Sequence, residues 1–140
     1  MQAINAANTG HSVITTIHAN SCEDTYYRMV TLCKQEQPGM DDTTLQNLAT
    51  KAFPIVAFAK RLEDNSRRIM EITECETLQD GRKKMRTLYR FNITDNIIAD
   101  GKPKVIGHYE KVENLSEDLQ KRLRENGLPL KMQEQLLAKR

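Results

Sequence analysis

Apolar positions recur every three or four residues over Tyr26, Met29, Val30 and Cys33, and again over Leu45, Leu48, Ala49 and Ala52. That spacing predicts two amphipathic helices. Ser21, three residues ahead of Asp24, reads as the N-cap of the first in a variant of the capping box, which sets its span at 22–36 before Pro38-Gly39. The second begins in the acidic and hydroxyl run "DDTT" and is limited by Pro54.

Elsewhere the period changes to two or is lost. "SVITTIHA" is β-branched almost throughout and predicts a short strand buried on both faces of a parallel sheet. "PIVAFAKRLEDNSRRIMEITECE" holds two β-type runs around Glu63-Asp64-Asn65-Ser66, a hairpin signal. "TLYRFNIT" and "VIGHYEKV" alternate apolar with polar residues and predict two further strands separated by "DNIIADGKPK", with "LQDGRKKMR" a solvated loop before them. "MQAINAAN" is helix-like up to Asn8-Thr9-Gly10, Ser116 opens a helix that stops at Asn126-Gly127, and "LKMQEQLLAKR" predicts a last short helix. The sum is α/β at the front with an antiparallel α+β tail. The predicted divisions within a single partial domain are 1–53, 54–112 and 113–140.

Composition narrows the function classes. A chain of 140 residues suits one domain, and 39% hydrophobic with 29% charged residues is a globular balance. A net charge of +2 and 5% aromatics argue against a nucleic-acid binder. Cys22, Cys33 and Cys75 form no CxxC pair, so neither a disulfide framework nor a zinc site is expected, and no metal ligands are assigned. A buried parallel strand needs neighbours on both edges, so the front third reads as cut from a larger sheet, with Met1 a start just ahead of it.

The segment "NTGHSVITTIHANS" followed by "DTYYRM" resembles the histidine box and arginine-bearing helix of the type II/type IV secretion superfamily of ATPases. "IVAFAKRLEDNSRRIMEITE", "LYRF" with "GKPKVIGHYE", and "LSEDLQKRLRENGLPL" resemble one branch of it, the Flp or tight-adherence pilus ATPases. Two departures stand out: only Ser12, Val13 and Ile14 separate Gly10-His11 from Thr15-Thr16, and Asn65 occupies the turn position where that branch usually has Gly. No GxxxxGK[ST] loop occurs in the chain.

The resemblance implies the C-terminal portion of a RecA-like motor domain, from a hexameric Mg-ATP-driven ATPase of pilus assembly or secretion. It places His18 at the catalytic centre of the full motor and Gly10, His11 and Thr16 near the nucleotide. Arg28 and Arg61 then serve subunit contacts or, as the favoured expectation, structural salt bridges. ATP and Mg²⁺ belong to the parent protein, with no cofactor expected for this chain alone, which lacks the phosphate-cradling loop. The implied partners are further copies of the chain and inner-membrane platform proteins, at the cytoplasmic side of that membrane. The rival reading is a stand-alone protein-interaction module derived from the motor fold. His108, on an alternating strand without ligand partners, is expected to be a plain surface histidine, and Arg82, Lys83, Lys84 and Arg86 to be solvated.

Overall fold

The computed structural model describes residues 1–137. Three helices, α1 (Gln2–Asn8), α2 (Cys22–Glu36) and α3 (Asp42–Ala52), precede four strands, β1 (Ile55–Arg61), β2 (Arg67–Thr77), β3 (Lys83–Ala99) and β4 (Lys102–Lys111). Two helices follow, α4 (Glu117–Glu125) and α5 (Leu130–Leu137). The predicted last helix extends over 138–140, which lie outside the described residues.

Local chemistry explains the helix starts. The Asp24 amide donates to Ser21 Oγ at 3.0 Å, and the Asp24 carboxylate accepts from the Asn20 amide at 2.9 Å, so the reciprocal cap reaches one residue further back than in the standard box. Asp41 accepts from the Thr44 amide at 2.9 Å and caps α3. Those hydrogen bonds from Thr44, hydroxyl first, hold the Asp41 carboxyl below its ordinary range.

The strands form one antiparallel sheet in the order β1-β2-β3-β4. Adjacent strand residues point to opposite faces, and Cys75 and Glu74 show how that layers the molecule. Cys75 joins Ile4, Tyr26, Met29, Leu45 and Ala49 in the core under α1, α2 and α3. Glu74 faces the other way, where the Ser116 backbone amide donates to its carboxylate at 2.9 Å and the Ser116 hydroxyl makes a second, short hydrogen bond to it. Helices therefore cover both faces.

Three expectations need correction. Residues 11–19 contain neither helix nor strand, Ile14 is 99% exposed, and the sheet holds no parallel pair among the described residues. A β-branched run favours strand geometry, but a strand exists only against a partner, and β1 to β4 pair solely with one another. "LQDGRKKMR" is not a loop throughout: a tight turn closes with Leu78 N–H to Arg82 O at 2.8 Å, and Lys83 to Arg86 already pair with Glu74 to Thr77. "DNIIADGKPK" is mostly strand as well. Asp100 and Gly101 have φ of 50° and 73°, the two positive values a two-residue type I′ turn requires, so β3 runs on to Ala99.

The hairpin between β1 and β2 follows expectation, with Asn65 at φ 64° in its turn. Its tip is tied to β4, because Asp64 accepts from the Val105 amide at 3.1 Å as well as from Ser66. No helix among the described residues is long and apolar enough to cross a membrane.

Candidate functional site

The run from Gly10 to Asn20 leaves α1 and crosses the molecule to the N-cap of α2. His11 is held at its start, its amide donating to Ala6 O at 3.1 Å and its Nδ1 lying 3.4 Å from Thr9 Oγ1. Residues 12–19 make no backbone hydrogen bond with any other described residue. Thr16 and His18 are exposed, and neither side chain has a hydrogen-bond partner among the described residues.

Gly10, His11, Thr16 and His18, which the resemblance places at or near the nucleotide, divide between two clefts. Thr16 and His18 line a cleft of about 690 Å³, whose walls are the run 13–19 on one side and β1 residues 55–59 on the other, over Ile4, Met29 and Phe53. Gly10 and His11 line a separate groove of about 720 Å³ beneath α4, with Ile72, Leu88, Leu119 and Leu123. Val13 borders both.

The first cleft is apolar apart from its threonines and His18, and it contains no Lys, Arg, Asp or Glu side chain. A magnesium nucleotide needs cationic or amide donors for its phosphates and oxygen ligands for its metal. The side chains present do not fit such a group by themselves. Both walls instead carry unused backbone, since β1 is an edge strand and the run 12–19 is unpaired.

Arg28 lies exposed on α2 and Arg61 exposed at the end of β1. Neither belongs to an ion pair among the described residues, so the expected structural salt bridges are not formed. The cluster expected to be solvated is internally satisfied. Arg82 pairs with Asp80 at 2.5 Å, Lys83 donates to Thr77 at 2.6 Å, Lys84 lies 3.9 Å from Glu113, and Arg86 lies 2.7 Å from Glu76. His108 is exposed on β4 opposite Asn92, as expected.

Two buried features escaped the sequence reading. Glu74 is 2% exposed and Ser116 is 3% exposed, which makes their contact the polar anchor of α4 on the sheet. Their separation of 42 residues leaves no local pattern to find. The Cys22 thiol donates to Val56 O and Glu71 O, and burial raises its pKa, as burial also does for Cys75. Such thiols are poor nucleophiles.

Comparison with known families gives a match over residues 1–138 to the model described as type II/IV secretion system protein. No curated protein matches the chain.

Proposed function

Since this chain belongs to the type II/IV secretion system protein family, we propose that it is the C-terminal part of a motor ATPase of the Flp, or tight-adherence, branch, which powers pilus assembly or secretion. The observation that carries this reading is the cleft between the histidine-box run and β1. Two stretches of backbone with free hydrogen-bonding groups face an apolar space, and a strand placed there would pair with both and cover the apolar walls. That strand, with the phosphate-binding loop and the acidic groups for Mg²⁺, belongs to the rest of the motor.

In this reading His18 and Thr16 stand at the rim of a site completed by other residues, and Gly10 and His11 shape the approach to it. An imidazole in an exposed, unpaired run is free to donate to a carboxylate or a water supplied by those other residues. The assembled motor is a hexameric, head-to-tail ring on the cytoplasmic side of the inner membrane, held there by platform proteins. The isolated chain binds no nucleotide.

Calorimetry with Mg-ATP tests the first part, and saturable heat with the 140-residue chain alone would refute it. Co-purification with the phosphate-loop portion of a motor from this family tests the second. Hydrolysis is expected to appear only in the mixture and to fall about a hundredfold or more with His18→Ala, the scale of losing one positioned proton donor. Hydrolysis unaffected by that substitution would remove His18 from the site. A chain that never restores hydrolysis, yet retains a folded core and captures a platform protein, would be the interaction module.

A further inference from the structure

The β1–β2 hairpin carries an arrangement that its own stability does not explain. In the antiparallel register Lys60 stands directly opposite Arg68, and Arg61 directly opposite Arg67. Like charges in directly opposed positions destabilise a strand pair. None of the ion pairs among the described residues relieves them, because Lys60, Arg61 and Arg67 take part in none.

None of the acidic groups nearby forms an ion pair with these cations among the described residues. Asp64 accepts hydrogen bonds from the Ser66 hydroxyl, the Val105 amide and the Ser66 amide, and it meets the cations only through a weaker attraction to Arg68, on the face away from Arg61 and Arg67. Arg68 is half-buried, its guanidinium 4.8 Å above the centre of the Phe91 ring, and its buried Nε has no hydrogen-bond partner. Glu63, in the turn itself, is exposed and in no ion pair.

Residues alternate faces along a strand, so Arg61 and Arg67 share one face of the hairpin and Lys60 and Arg68 the other. Arg61 and Arg67 are both exposed, on directly opposed backbone positions near the free edge of the sheet. One carboxylate brings a single negative charge to two guanidinium cations and leaves the pair half-neutralised. A tetrahedral dianion has the charge and the oxygens for both.

We propose that Arg61 and Arg67 form a cross-strand clamp for a phosphate-class dianion, with Lys60 and Arg68 adding positive field from the opposite face. The clamp stands apart from both clefts and is independent of whether the chain is part of a motor. Its ligand is defined by the phosphate group, whether carried by inorganic phosphate, a nucleotide or a lipid headgroup.

The test follows the arginine Nε–H signals of the full chain by NMR during titration with inorganic phosphate, with chloride used to keep ionic strength constant. Saturable shifts of Arg61 and Arg67 are expected, with Arg28 as the exposed reference. Arg61→Gln and Arg67→Gln should each weaken phosphate about tenfold, and Arg61→Lys, which keeps the charge but loses the fork, about threefold or more. Metal-free ATP and phosphatidic acid vesicles, each run against the phosphate-loaded chain, identify the carrier by displacing it. Linear shifts equal to those of Arg28, or phosphate binding unchanged in both glutamine variants, would overturn the clamp. Acetate saturating the same signals as tightly as phosphate would overturn the dianion class in favour of a carboxylate.

Discussion

Ser116→Ala removes one oxygen that serves two structures at once. The hydroxyl accepts from the Leu119 amide at 3.2 Å as the N-cap of α4, and it donates to buried Glu74. Loss of a serine cap costs about 1 kcal/mol, and loss of a hydrogen bond to a charged, buried group about 1.5–3 kcal/mol. The Ser116 amide still donates to Glu74 at 2.9 Å, so the carboxylate keeps one partner and the lower half of that range applies. The expected destabilisation is about 2.5–3 kcal/mol, or roughly 10 °C in Tm for a domain of this size. Urea denaturation followed by circular dichroism measures it as a lower midpoint with an unchanged slope.

Two companion variants separate the roles. Ser116→Asp supplies an excellent cap but sets a second carboxylate against Glu74, so it should be no more stable than Ser116→Ala. Glu74→Gln should shrink the effect of Ser116→Ala to about the cap contribution of 1 kcal/mol. A loss below about 0.5 kcal/mol in Ser116→Ala would place it among ordinary surface substitutions and refute the anchor.

Other expectations are as direct. The Asp64 carboxyl is pulled down to about 2 by the Ser66 hydroxyl, the Val105 amide and the Ser66 amide. With an unfolded value of about 3.9, its contribution is complete above roughly pH 4 and disappears as pH falls through about 2. Wild type should therefore lose more stability than Asp64→Asn across that window, and parallel acid titrations of the two would count against the turn contacts. Gly107→Ala would put a Cβ 2.3 Å from Asn92 O and 2.6 Å from the Phe91 ring. Moving that carbonyl breaks the β3–β4 ladder, so thermal melts should show a loss of about 2 kcal/mol or more. Cys22, Cys33 and Cys75 are all buried, so maleimide should label none of them rapidly in the native chain while all three react in urea.

How much could be read in advance depended on the range of the interaction. The helix α2 and its cap were legible because every signal lies within a few residues: Ser21 and Asp24 at the start, and apolar residues three and four apart after it. The β1–β2 turn was legible for the same reason, since Asn65 accepts a positive φ without help from distant residues. The Asp100-Gly101 turn was equally local, but the isoleucines before it hid in a polar run, and the expected strand therefore stopped short.

The candidate site was legible as a motif and not as a place. The amino-acid sequence determined the family, the helix caps and the turn residues, and it singled out Gly10, His11, Thr16 and His18 by resemblance alone. Only the tertiary structure decided that this group divides between two clefts, that the β-branched run lies unpaired, and that Arg61 faces Arg67 instead of a carboxylate. It also decided that Glu74 is buried under Ser116. The reason is physical: a cap or a turn is satisfied by groups the chain carries beside it, whereas a strand, a buried carboxylate or a clamp is defined by partners that only the complete fold brings near.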